Sequence, residues 1–315
     1  MKRRRNVFIL VLLMVLSAVC LGGTVANRPG IVVCASAAEN DDWFDLSTMK
    51  TEIGPGIAIE KAVTSSQTEN AGWYAGGTVH LDPHNWHPDF SGNMTPRAMR
   101  LFTSFANDDF IYVRDYGGYE QFMQAADEMN DGIRRVNGDS VWIQYLPRDV
   151  ISTWGPDAWC VDLREPSTRR GAGNMRAELY GDADIDAFLV SVVIEAGVAE
   201  GMDKHEAVRR IAGWFAYNMT YDASAKELTI AEAAKNRRGV CYHMTKLFNY
   251  VCDCCCITCA YQNGMVNGQA HVWNRVTING VTSYADMAAC SYYRNPDFIW
   301  MDEATLARFG RVMLE

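Results

Sequence analysis

Asn279-Gly280 is the dipeptide that most narrows what this chain can fold into. A two-residue hairpin turn needs φ > 0 at both central positions, which Gly adopts freely and Asn tolerates. The flanking runs, His271–Ile278 and Val281–Met287, are rich in β-branched and aromatic residues and read as strands. Such a turn also fixes the register. Residue 278 faces 281, and counting outward puts Asp286 opposite Trp273 and diagonal to His271. Residues 271, 273 and 286 then share one face of the hairpin. Diagonal neighbours lie about 7–8 Å apart at the backbone, a gap that an Asp–His hydrogen bond can close. A carboxylate so placed would fix the tautomer of the imidazole and stabilise its protonated form.

An oriented imidazole acts on a nucleophile, and residues 239–259, GVCYHMTKLFNYVCDCCCITC, offer candidates. They hold six of the chain's ten cysteines. Cys241 stands apart, just after Gly239-Val240 and at the start of a helix expected to run to about Asp253. Unpaired N–H groups and the helix dipole there favour a thiolate, and a nearby His⁺ favours it further. The Cys241 N–H could also face a developing oxyanion. Cys252 lies roughly 16 Å along the same helix at 1.5 Å per residue, so the crowd shares no centre with Cys241. Cys252/Cys255 and Cys256/Cys259 formally match metal-binding CxxC pairs. A helix end feeding into a strand suits buried thiols better, with a disulfide or a metal as the alternatives.

Several motifs then fall in order: Tyr221-Asp222 after a helix, Arg238-Gly239-Val240-Cys241, a helix, a strand, His271-Val272-Trp273, and Asp286. Over roughly residues 185–315 this resembles the transglutaminase-like superfamily of cysteine enzymes. The resemblance implies a papain-like α+β core, with the nucleophile at a helix N-terminus packed on an antiparallel sheet. It implies Cys241 as nucleophile, His271 as general base and Asp286 as orienting acid. Trp273 reads as core or a wall of the cleft, and Tyr221 as lining the site and helping to hold an oxyanion or, equally, as core packing. No cofactor and no metal is implied. Tyr242-His243 depart from the small or acidic residues common after the nucleophile. Cys256 stands where the family often has Gly.

The expected domain organisation has three parts. Residues 1–38 open with MKRRR and a long apolar run, Val7 to Ala26, as an export signal does. That run is also about long enough to span a bilayer, so the segment is either cleaved or kept as an anchor, with the rest outside. Residues 39–180 form an unassigned mixed α/β region. In it, residues 39–72 read as a tether, Pro96–Asn107 and Tyr119–Val136 as helices, Val141–Leu146 and Trp159–Leu163 as strands, and Glu165–Gly173 as an exposed linker. Residues 181–315 form the transglutaminase-like domain. Asp184 is expected to cap a helix over Ile185–Ala199, Asp203 one to Asn218, and Asp302 a last one.

Composition limits the functions. Apolar residues make up 49%, enough for a packed core. The net charge is −9, and the segment 1–38 is purely basic, so the remainder is more acidic still. That excludes nucleic acid, and leaves the N-terminal segment as the sole membrane contact. His80, His84 and His87, near Asp82 and Asp89, are spaced too loosely for a metal motif and read as a solvated loop. The chain is therefore expected to act on a protein or peptide, by amide hydrolysis or by acyl transfer to an amine. The reading of another class is a non-catalytic cell-surface binding module.

Overall fold

The computed structural model describes residues 71–88, 90, 92–137, 159–164 and 166–314. The expected leader, nearly all of the tether, the strand at Val141–Leu146 and Asp89 lie outside them.

The described residues of the N-terminal region are mainly helical. A short helix α1 (Ala71–Ala75) precedes α2 (Pro96–Asn107), which starts at the Thr95 cap with Pro96 in its first turn. Strand β1 (Phe110–Tyr112) leads to α3 (Tyr119–Asn137) and later pairs antiparallel with β2 (Cys160–Asp162). The expected linker Glu165–Gly173 is not one: its residues from Pro166 onward belong to helix α4 (Pro166–Tyr180), which packs on α2. Its Gly and Ser content argued for a loop, but burial of Asn174, Met175, Ala177 and Glu178 holds it helical. Tertiary packing outweighs intrinsic propensity here.

The second half follows the sequence expectation closely. Helix α5 (Ala183–Glu195) is capped by Asp182 rather than Asp184, because the Asp182 carboxylate accepts from the N–H groups of Asp184 and Ile185. Helix α6 (Lys204–Asn218) starts at the Asp203 cap. A short strand β3 (Thr220–Tyr221), helix α7 (Ile230–Asn236) and strand β4 (Arg238–Gly239) lead into α8 (Cys241–Cys254). Strands β5 (Thr258–Val266), β6 (Gln269–Ile278) and β7 (Val281–Ala285) follow, then α9 (Met287–Tyr293), α10 (Glu303–Arg308) and β8 (Arg311–Met313).

One four-stranded antiparallel sheet, ordered β7-β6-β5-β8, carries this half. The β6–β7 register is the one the Asn279-Gly280 turn dictates, running from Ile278↔Val281 to Asn274↔Ala285. Both turn residues have φ > 0, at 52° and 76°. Helix α8 packs on β5 and β6, and every side chain from His243 to Cys254 is buried. One buried cluster runs from Val79 and Trp86 through α2, α3 and α4 to α8 and the sheet, continuous across residue 180. Val266, Trp273, Tyr284, Met301, Leu306 and Met313 form a smaller one. The molecule is thus a mixed helix and strand fold on an antiparallel sheet, consistent with a transglutaminase-like fold. Among the described residues no helix is long and apolar enough to cross a membrane.

The cysteine crowd closes α8. Cys256 N–H donates to Asp253 C=O and Ile257 N–H to Cys252 C=O, with Cys256 left-handed at φ 50°. This is a Schellman cap, whose left-handed position usually takes Gly, so the departure at Cys256 marks a backbone requirement met by a cysteine. None of the five cysteines is in a disulfide, and all are buried. Burial pushes Cys255 up to about 12 and Cys256 up to about 11.

Candidate active site

Cys241 is the first residue of α8, where the chain turns from β4 into the helix. The turn is held by His243. Its Nδ1 accepts the Val240 N–H at 3.1 Å, so its Nε2 carries the proton and donates to Leu228 C=O at 2.8 Å. Burial lowers the His243 pKa to about 4, which keeps the ring neutral and both bonds in place. Gly239 is required beneath this ring, since a Cβ there would lie 2.7 Å from His243 Cβ and 2.9 Å from its Cγ. The Tyr242-His243 departure from the family pattern therefore supports the Cys241 backbone.

His271 projects from β6 on the face it shares with Trp273, with ring centroids 5.9 Å apart. Asp286 departs from expectation: β7 ends at Ala285, and Asp286 caps α9, its Oδ1 accepting the Ala289 N–H at 2.9 Å. A strand residue would have had no such donor, and the cap fixes the carboxylate plane. Its Oδ2 accepts from His271 Nε2 at 2.9 Å. The Cys241 thiol makes a hydrogen-bonding and charge contact with the same ring. With Nε2 committed to Asp286, Nδ1 is the nitrogen left for sulfur. The structure thus brings all three expected residues together from three separate elements.

The cluster is closed to water: Cys241 is 3% exposed, His271 and Asp286 0%. Burial by itself would lower the His271 pKa. The charges on Asp286 and Cys241, and hydrogen bonds to both, outweigh it and raise the value to about 9. Burial likewise opposes ionisation of Asp286, but His271, Arg311 and the Ala289 N–H hold its carboxyl well below the usual range.

Strand β3 pairs parallel with β4, which sets Tyr221 opposite Gly239, two residues before Cys241. Tyr221 is half-buried, edge-on to Tyr292 with centroids 5.9 Å apart. Trp273 is fully buried, packed over Gly264, where any Cβ would collide with its ring. It belongs to the smaller core cluster. The histidine loop is dispersed: His80 bonds Glu200 at 2.9 Å, and His87 stacks on Trp86. Among the described residues, no group of His, Cys, Asp and Glu could hold a metal ion.

Sequence reasoning missed two features. Arg311 on β8 donates to Asp286 Oδ2 from Nη2 at 2.5 Å and from Nε at 3.2 Å. Nothing local marks it, because β8 is three residues long and lies beyond a loop and a helix. The second feature is on α8. Lys246 is fully buried and ion-paired with Glu178 of α4, whose Oε1 also accepts from Tyr250 Oη at 2.9 Å. Asn174 of α4 donates to Tyr242 Oη at 2.5 Å and accepts from Ile230 N–H. Helix α4 thereby clasps the helix that carries Cys241.

Residues 193–289 match the family model of the transglutaminase-like superfamily. All three clustered residues fall in that segment; Glu178 and Arg311 do not. A solved Cytophaga hutchinsonii protein, provisionally described as a cysteine protease, is similar over 44% of this chain and 55% of its own, at 20% identity and TM-score 0.29. The chain thus spans about half the length of that protein, and the likeness is too slight to bear on fold or activity. No curated protein matches the sequence. Transglutaminase-like proteins are typically cysteine enzymes, so the family match supports a cysteine-enzyme function.

Proposed function

We propose that this chain is an exported thiol hydrolase that cleaves amide bonds of protein or peptide substrates through a Cys241 thioester. The carrying observation is the buried Cys241–His271–Asp286 contact, assembled from α8, β6 and the α9 cap. The Cys241 thiolate attacks the amide carbonyl carbon, and the oxyanion faces the Cys241 N–H at the start of α8, with Tyr221 beside it. The carbon–nitrogen bond then breaks as His271 gives its proton to the leaving amine. Water, deprotonated by His271, attacks the thioester, and sulfur leaves with the product acid released. Asp286 holds the ring and stabilises its protonated form throughout. Export rests on the basic and apolar pattern of residues 1–26.

An amine in place of water would give transglutaminase-type transfer. Hydrolysis is favoured because water is always present and nothing in the sequence marks an amine site. A non-catalytic binding module is disfavoured, because such a module has no need for a thiol–imidazole–carboxylate cluster kept intact in its interior.

The test is mass analysis of a casein-type substrate incubated with the full-length protein and a labelled primary amine. New fragments establish hydrolysis, and incorporated label establishes transfer. If neither product forms, or if Cys241→Ala protein gives the same products, the enzyme reading fails.

A further inference from the structure

We propose that Arg311 is a positioning residue that completes an alternating buried charge row, Cys241–His271–Asp286–Arg311, and so sets the pH at which the Cys241 thiolate forms. This rests on the thiol-enzyme reading above and deepens it.

The geometry is specific. Asp286 Oδ2 takes His271 on one side and both Nε and Nη2 of Arg311 on the other, while Oδ1 takes the Ala289 N–H. All three side chains of this group are fully shut off from solvent. Arg311 lies against the adjacent rings of Phe298 and Phe309, 5.7 and 5.8 Å from their centroids. Its Nη1 has no hydrogen-bond partner. Such a guanidinium is unscreened by water, so its charge acts at full local strength.

The bookkeeping of charge gives the reason. A thiolate, an imidazolium and a carboxylate carry a net negative charge, which is costly in a dry interior. Arg311 makes the row neutral. It also keeps Asp286 ionised whatever the state of His271, so that protons move only between thiol and imidazole. The groups facing the row are Cys241 from α8, His271 from β6, Asp286 and the buried thiol of Cys290 from α9, and Arg311 from β8. Only Arg311 is a permanent cation.

Loss of that cation destabilises the thiolate and stabilises the imidazolium, so both ionisations move to higher pH. The test is the rate of Cys241 alkylation by iodoacetamide against pH, read by peptide mass in the full-length protein. In Arg311→Gln protein the midpoint should rise by about one pH unit. Arg311→Lys, which keeps the charge, should hold the wild-type midpoint. An unmoved midpoint in a folded Arg311→Gln protein would overturn the proposal, since a merely structural arginine changes melting temperature and rate without moving it. If that variant does not fold, the wild-type Arg311 Nε–H resonance decides: it should titrate with His271, and a flat resonance overturns the proposal. Alkylation needs no substrate. A shifted midpoint without amide turnover sinks the hydrolase and keeps the role of Arg311, and turnover with an unmoved midpoint does the reverse.

Discussion

His271 Nε2 and Asp286 Oδ2 lie 2.9 Å apart in a fully dry setting, one residue in mid-strand and the other capping a helix. Asp286→Asn tests that relationship. It removes the charge that raises the His271 pKa, so the alkaline limb of kcat/KM moves down from near pH 9. An amide at this position also favours the wrong imidazole tautomer, and kcat should fall roughly 10³- to 10⁴-fold. A pH–rate profile of the variant reads both effects.

The two buried histidines predict a stability maximum. His271 has a folded pKa of about 9 against 6.5 unfolded, so its contribution is complete below pH 6.5 and is lost as pH rises through 9. His243 has the opposite shift, to about 4, so its contribution is complete above pH 6.5 and is lost as pH falls through 4. Each is on the order of 3 kcal/mol. Melting temperature should therefore peak near pH 6.5, and His271→Gln should flatten the alkaline side only.

Cysteine reactivity should separate the lone thiol from the crowd. Burial pushes Cys252, Cys254, Cys255 and Cys256 upward, whereas Cys241 faces an imidazole and a helix start. With limiting iodoacetamide near pH 6, peptide mapping should find Cys241 modified first. Prior modification of the crowd would mean that the thiol–imidazole contact is not formed in solution.

Gly239→Ala should destabilise by about 1–3 kcal/mol, because the new Cβ meets the His243 ring that ties Val240 to Leu228. His243→Ala costs those bonds but makes room. Denaturant unfolding of the double variant should show less than the sum of the two losses, the sign of a direct coupling.

Lys246→Met leaves Glu178 charged and buried, and should cost about 3–5 kcal/mol. Adding Glu178→Leu removes the stranded charge and should recover most of that loss. Urea midpoints of the wild type, the single and the double variant decide it. Equal losses in the single and double variants would mean that the clasp is not a charge pair in the folded protein.

What the sequence determined by itself was local. Asn279-Gly280 set the turn, the turn set the β6–β7 register, and period-two alternation put His271 and Trp273 on one face. Gly239-Val240 marked the start of α8, and capping residues marked α6 and α10. Those signals act over a few residues, so they survive translation into structure. Tertiary structure decided what depends on distant partners. Helix α4 forms because it packs on α2 and its buried Asn174 and Glu178 bond to α8, although its composition favours a loop. Asp286 leaves the strand because α9 needs a cap. Arg311 reaches Asp286 only because β8 adds to the sheet beside β5, a pairing three residues long with no local signature. The ionisation of the row followed suit. The sequence supplies an imidazole and a carboxylate, but the shifts of His271 and Asp286 come from burial and from charges that only the folded chain brings together.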